Sequence, residues 1–88
     1  MSSYTVQYIT DKLKQELQTT HLEVEDMSDG CGAKFNALIV SDKFEGIPLL
    51  GRHRMVNQIL ATELQTIHAF TMKTITSKQY QDLRDKKS

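Results

Sequence analysis

The sequence predicts an α+β fold in which helices cover one face of a three-stranded mixed sheet, in the order α-β-β-α-α-β-α. Apolar residues recur at helical spacing near the start and in the middle of the chain. Two alternating segments flank a glycine-containing turn, and a β-branched segment follows the middle helices. A strand that returns after a helical crossover normally runs parallel to the strand it left, so the sheet should be mixed. The 88 residues allow one two-layer domain, spanning 1–88, and no second lobe.

The first element should be an amphipathic helix from Thr5 to about Gln18. Its apolar positions recur every three or four residues, at Val6, Ile9, Leu13 and Leu17. Two half-buried strands follow, because apolar and polar residues alternate in each. Their inward positions should be Leu22, Val24, Phe35, Ala37 and Ile39. The turn at 27–32 contains two glycines and should join the strands as an antiparallel pair.

The middle of the chain carries the segment FEGIPLLGRHRMV, residues 44–56, which leads from a loop into a helix. Gly46 marks a bend, and Pro48 suits a first helical turn because its missing N–H would have no partner there. One stripe of this helix should face the core, and it consists of Leu49, His53, Val56, Leu60 and Leu64. A break near Ala61 would divide the region into two short helices.

The third strand and the last helix are predicted from adjoining segments. Residues 69–75 are rich in β-branched and apolar side chains, which favours a strand with His68 at its entrance. Thr76 and Gln79 have the spacing of a capping box, which starts a helix whose inner contacts should be Tyr80 and Leu83. Residues from about 84 to 88 are expected to form a flexible tail.

The charge and composition of the chain exclude several classes of protein. Eleven basic and eleven acidic residues cancel, so the strong positive field of a protein that binds nucleic acid through phosphates alone is missing. A local basic patch remains open. No apolar run reaches the ~20 residues of a membrane span, and the start resembles no secretory signal or transit peptide. We expect a cytoplasmic protein, with the nucleus as a further location.

Cys31 and His68 are the candidate ligands for a metal. Cys31 is the only cysteine, so neither an intrachain disulfide nor a C-x-x-C redox pair can form. The glycines on both sides leave a thiolate open to a ligand, whereas Asp29 disfavours the thiolate form. A plain surface thiol remains the simpler interpretation of Cys31 alone, and a strand-end histidine bonded to the backbone remains open for His68. The cysteine and the histidines of the chain do not have the paired spacing of a classical zinc site.

The segment at 44–56 resembles the signature of the BolA family, and the matching residues are Phe44, Gly46, Arg52, His53, Arg54 and Val56. The resemblance covers nearly the whole chain and, with Cys31 and His68, is closest to the eukaryotic cytosolic branch. It implies a class II KH-like fold. It also implies that Cys31 and His68 ligate the iron of a [2Fe-2S] cluster shared with a monothiol glutaredoxin, with glutathione on the partner's side. One cysteine and one histidine cannot hold a cluster alone, which favours sharing. Such an adaptor would serve cluster trafficking or iron homeostasis.

Arg52, Arg54 and Lys73 are the candidates for a partner or nucleic-acid surface. A KH-like nucleic-acid-binding regulator is the alternative function, although the chain has no G-x-x-G loop and no aromatic residues among its basic ones. We expect His53 to be structural, since it lies on the apolar stripe. Catalytic residues are not predicted, because Cys31 and His68 have no identifiable third group or oxyanion donor.

Overall fold

The computed structural model describes residues 4–28 and 32–86. The helices and strands are α1 (Val6–Leu17), β1 (His21–Asp26), β2 (Lys34–Val40), α2 (Leu49–Ile59), β3 (Ala69–Ile75) and α3 (Ser77–Lys86). Two single 3-10 turns lie at Asp42–Phe44 and Glu63–Gln65. The predicted α+β class is confirmed, and the second of the two expected middle helices is the 3-10 turn that follows α2. Among the described residues, no helix combines the length and the apolar character needed to cross a bilayer.

The helix α1 has the ends that its sequence predicts. The Thr5 hydroxyl accepts a hydrogen bond from the Tyr8 N–H at 3.0 Å and so caps the first turn. Gln18 ends the helix in the left-handed conformation, with its N–H donating to the Lys14 carbonyl at 2.8 Å. One face of the helix enters the core through Ile9, Leu13 and Leu17.

The sheet has the strand order β1-β2-β3. β1 pairs antiparallel with β2, with Val24 opposite Ala37, and β2 pairs parallel with β3, with Phe35 opposite Phe70. The mixed sheet is therefore confirmed. The two parallel strands begin side by side, which places the start of β3 next to the loop that joins β1 to β2.

The core lies between the sheet and the helices α1 and α2. It contains buried residues from these elements and from the segments that connect them, which are Ile9, Leu13, Leu17, Phe35, Ala37, Ile39, Phe44, Val56, Leu60 and Ile67. Gly46 has a φ of 73°, which fits the predicted bend before α2. The buried Phe44 is thereby followed by a sharp change of direction into the helix.

The expectation that every helix covers one face of the sheet holds for α1 and α2 but not for α3. Strand alternation directs His21 away from the core face that carries Leu22 and Val24. The Tyr80 ring of α3 stacks on the His21 ring with centroids 4.5 Å apart. None of the described residues of α3 is buried, and the predicted inner contacts Tyr80 and Leu83 lie on this outer side of the sheet, half-buried and 38% exposed respectively.

The start of α3 is the predicted capping box. The Gln79 N–H donates to the Thr76 hydroxyl at 3.2 Å, and the Thr76 N–H donates to the Gln79 side-chain oxygen at 2.9 Å. The helix continues to Lys86, so residues 84–86 are helical where a tail was expected. Residues 87–88 lie outside the described part of the chain.

The stripe predicted for α2 faces the core only in part. Val56 and Leu60 are fully buried, but Leu49 is 60% exposed. His53 and Leu64 are half-buried. The first turn of α2 lies beyond the edge of the core, near the end of β3. There the side chain of Arg52 donates hydrogen bonds to the Ile47 and Thr74 carbonyls. The predicted break near Ala61 is confirmed, because α2 ends at Ile59.

Candidate functional site

His68 lies where the chain enters β3, between the 3-10 turn at Glu63–Gln65 and the first strand residue. Its N–H donates to the Ala33 carbonyl at 2.8 Å, and the Ala69 N–H donates to the same oxygen at 3.2 Å. These two bonds fix the backbone of His68 against the start of β2. The imidazole is exposed and makes no hydrogen bond to residues 4–28 or 32–86. Its ring nitrogens are therefore not committed to the described backbone, and either can bind a ligand.

Gly32 packs directly against His68. A Cβ atom built on Gly32 would lie 3.3 Å from the His68 Cβ and 3.7 Å from its Cγ, and the φ of Gly32 is 125°. A side chain at this position would thus be strained and would also crowd the imidazole. Cys31 is bonded to Gly32 in the sequence but lies, with Asp29, outside the described residues. The described chain brings the residue after Cys31 to the base of the imidazole.

The described residues contain no group of three or more cysteine, histidine, aspartate or glutamate side chains that could hold a metal ion. A self-contained site of that kind is therefore missing from 4–28 and 32–86. What His68 offers is a single exposed imidazole nitrogen at a fixed backbone position. That donor fits a cluster whose other ligands come from Cys31 and from a second molecule.

Glu63 is a buried charged residue that the sequence analysis missed. Its side chain is 1% exposed, and its Oε2 accepts hydrogen bonds from the Tyr8 hydroxyl at 2.6 Å and from the Lys12 ammonium at 2.7 Å. Burial alone raises the pKa of Glu63, but the bonds from Lys12 and Tyr8 outweigh it and lower the pKa below its ordinary value. The one available signal was spacing, since Glu63 lies three residues after Leu60 and four before Ile67, both buried.

The lowered pKa of Glu63 predicts a pH-dependent stability. The ionised carboxylate stabilises the fold fully above its unfolded pKa of about 4.3, and this contribution is lost as the pH falls through the lower folded pKa. Thermal unfolding of the wild-type protein and of Glu63→Gln should therefore differ clearly at neutral pH. The gap between their midpoints should narrow towards pH ~3.

The comparison with Glu63→Gln isolates Glu63 from the other acidic groups. The pKa of Asp26 is also lowered, by the hydroxyl and then the backbone N–H of Ser28, so both proteins lose stability in acid through Asp26. A gap between the two midpoints that stayed constant from neutral to acid pH would contradict an ionised Glu63 in the fold.

Arg52 is engaged inside the molecule. Its Nε donates to the Ile47 carbonyl at 2.7 Å, and one terminal nitrogen donates to the Thr74 carbonyl and to the Gln79 side chain, each at 3.0 Å. The guanidinium also lies over the Phe44 ring, 5.8 Å from its centroid. These contacts join the loop before α2 to the end of β3 and the start of α3, which favours a structural role for Arg52.

The other two predicted surface cations are exposed but lie in different settings. Lys73 lines a groove between α2 and β3 together with Arg52, His53 and Met72, so the structure brings Arg52 and Lys73 together. Arg54 is exposed on α2 and is not among the residues that line this groove. His68 lies at the opposite end of β3 from the Thr74 carbonyl that Arg52 binds.

Comparisons with known proteins agree in one family. A family model described as "BolA-like protein" matches residues 13–79. The chain is 53% identical to BolA-like protein 2 of Mus musculus over 74 residues, which cover 83% of this chain and 86% of that protein. It is 39% identical to the DNA-binding transcriptional regulator BolA of Escherichia coli, with coverage of 88% and 80%. The crystal structure of a Bol-like protein of Babesia bovis superposes with a TM-score of 0.89 at 43% identity, covering 94% of this chain and 96% of that one.

Proposed function

Because the chain belongs to the BolA-like protein family, we propose that it is a non-enzymatic adaptor that shares a [2Fe-2S] cluster with a monothiol glutaredoxin. Cys31 and His68 would be its two ligands. The observation that carries the proposal is the exposed imidazole of His68 packed against Gly32, the residue that follows Cys31. The adaptor would pass the cluster on or report the iron status of the cell.

The donor set explains why a partner is needed. A [2Fe-2S] cluster has four ligand positions outside its bridging sulfides, and this chain offers one thiol and one imidazole that makes no hydrogen bond to residues 4–28 or 32–86. The glutaredoxin thiolate and the thiolate of its bound glutathione would complete the set. Imidazole in place of thiolate raises the reduction potential of such a cluster. His68 is suited to this role because its backbone is fixed by Ala33 while its ring is exposed.

The docking surface is a separate part of the proposal and has its own test. Arg54 and Lys73 are exposed and carry charge that an acidic partner surface could meet, whereas Arg52 would support that surface from within. We expect the double variant Arg54→Glu, Lys73→Glu to weaken glutaredoxin binding about tenfold at physiological salt, and less at high salt. Isothermal titration calorimetry at each salt concentration measures the dissociation constants of the wild-type protein and of the double variant.

The matched control is Lys14→Glu, which reverses an exposed charge on α1. It should leave the affinity within about twofold of the wild-type value, since exposed charges away from a contact contribute little. Weakening by Lys14→Glu that equals the double variant's weakening per reversed charge would show only a general effect of net charge. The docking surface would then lie elsewhere.

Nucleic-acid binding is the second candidate function. It is favoured by the name of the E. coli relative, a DNA-binding transcriptional regulator. The zero formal net charge of this chain weighs against it, because phosphate contacts dominate such affinities. Tight, sequence-specific binding of duplex DNA that weakens steeply with salt, with a slope reporting several phosphates, would favour the regulator over the adaptor.

A further inference from the structure

The burial of Glu63 needs a reason beyond stability. Its side chain is 1% exposed, and among the described atoms its Oε1 has no hydrogen-bond partner. The Lys12 side chain stays 33% exposed, but the Glu63 carboxylate must be desolvated, and pairs with a buried charge are often no more stabilising than apolar residues of the same volume. Where they persist, they can fix one arrangement of the chain rather than add stability. The question is which arrangement Glu63 fixes.

The arrangement that Glu63 fixes is that of the segment leading to His68, because the backbone carbonyl of Glu63 is hydrogen-bonded to this segment. It accepts hydrogen bonds from the Thr66 N–H at 3.1 Å, the Ile67 N–H at 3.2 Å and the Thr66 hydroxyl at 3.3 Å. Ile67 is 8% exposed and belongs to the core. The next residue is His68, whose N–H is bound by Ala33.

The side chain of Glu63 ties this turn to α1. Tyr8 and Lys12 lie one turn apart on that helix, and both donate to the same carboxylate oxygen. A continuous set of hydrogen bonds therefore runs from α1 through Glu63 to the residues on the N-terminal side of His68. On the other side, His68 is held by the start of β2.

We propose that Glu63 is the positioning residue for His68: through Tyr8 and Lys12 it anchors to α1 the turn that sets where the imidazole stands. This inference rests on the proposed role of His68 as a cluster ligand. The ring is exposed and makes no hydrogen bond within the described ranges, so its position depends on the backbone, and the turn at Glu63–Gln65 limits how far the imidazole can move.

Hydrogen exchange of the protein without a partner tests the anchor. In Glu63→Gln the carboxylate charge is lost while shape and the backbone carbonyl are kept, so the turn should detach from α1 locally. We expect the amides of Thr66, Ile67 and His68 to exchange about tenfold faster, beyond any change shared by the amides of β1 and β2. Tyr8→Phe, which removes one donor, should produce the same pattern more weakly.

The control is Val56→Ala, which weakens the core without touching the Tyr8–Glu63–Lys12 contacts. It should accelerate exchange of the globally protected amides together, with no excess at 66–68. If Glu63→Gln gave this uniform pattern instead, Glu63 would contribute only to overall stability and the proposal would be overturned.

The shared cluster gives a second readout that separates the two proposals. Wild-type protein should change the visible spectrum of a cluster-loaded glutaredoxin to that of a cluster ligated by both proteins, which we call the mixed spectrum. Glu63→Gln should also give a mixed spectrum, but with an altered circular dichroism band shape. An unchanged spectrum from Glu63→Gln, with wild-type behaviour normal, would overturn the positioning role alone. Failure of the wild-type protein to change the spectrum would overturn the proposed function, while the exchange pattern would still decide whether Glu63 anchors the turn.

Discussion

Replacing His68 by alanine is expected to abolish the spectrum of the mixed cluster while leaving the protein folded. The imidazole is exposed and makes no hydrogen bond to the described residues, so its loss should change the free energy of unfolding by less than about 0.5 kcal/mol. Under the proposed function, the variant lacks one of this chain's two ligands, and only Cys31 would hold its side of the cluster. Visible circular dichroism of a cluster-loaded glutaredoxin mixed with the variant measures the effect.

The variant His68→Cys separates the loss of a ligand from the loss of a particular side chain. A thiolate can replace imidazole on iron, so cluster sharing should return, with a lower reduction potential and a spectrum closer to that of an all-thiolate cluster. The matched control is His21→Ala. It removes a histidine that lies on the outer sheet face, outside the groove between α2 and β3 that Lys73 lines, and it should leave the mixed spectrum intact. A mixed spectrum that survived His68→Ala would rule out His68 as a ligand.

Replacing Phe44 by alanine is expected to have the largest effect on stability. The ring is fully buried in the core, and Arg52 lies across it while bonding to the loop and to β3. Removing the ring leaves a cavity and also removes the surface on which the Arg52 guanidinium lies. We therefore expect the free energy of unfolding to fall by about 3–5 kcal/mol. Since native domains are stable by about 5–15 kcal/mol, this loss is a large share of the total, and the variant should unfold at a clearly lower urea concentration than the wild-type protein. Urea denaturation with circular dichroism measures this loss.

Leu49→Ala is the matched control for Phe44→Ala, because both residues lie in the segment at 44–56. Leu49 is 60% exposed, so we expect a change within about 0.5 kcal/mol. Comparable losses from the two variants would contradict the finding that the first turn of α2 lies beyond the core.

The parts of the fold that could be predicted from the sequence are those set by local patterns. The spacing of Ile9, Leu13 and Leu17 is enough to define α1 and the face it buries. The Thr76 and Gln79 side chains cap the helix whose start they encode, through hydrogen bonds between residues three apart in the sequence. The mixed sheet follows because a short turn joins antiparallel strands, whereas a helical crossover joins parallel ones.

The parts that could not be predicted depend on contacts between distant segments. Helical spacing assigns Leu49 to the same stripe as Val56. Whether a residue of this stripe is buried depends on how far the core extends along α2, and the core does not reach Leu49. The burial of Glu63 depends on donors 51 and 55 residues away, at Lys12 and Tyr8.

The predicted site residues divide in the same way. The position of His68 at a strand entrance was visible in the sequence, whereas its contact with Gly32 required the pairing of β2 with β3. Arg52 looked like a surface cation because sequence spacing cannot show that Ile47, Thr74 and Gln79 converge on it.

The most direct test of cluster sharing is an anaerobic titration in which the wild-type protein is added to a cluster-loaded monothiol glutaredoxin in the presence of glutathione. Visible absorption and circular dichroism report the ligands of the iron. We expect a new spectrum that saturates at one molecule of this protein per glutaredoxin subunit. A spectrum that stays that of the glutaredoxin alone, at any excess of this protein, would contradict cluster sharing.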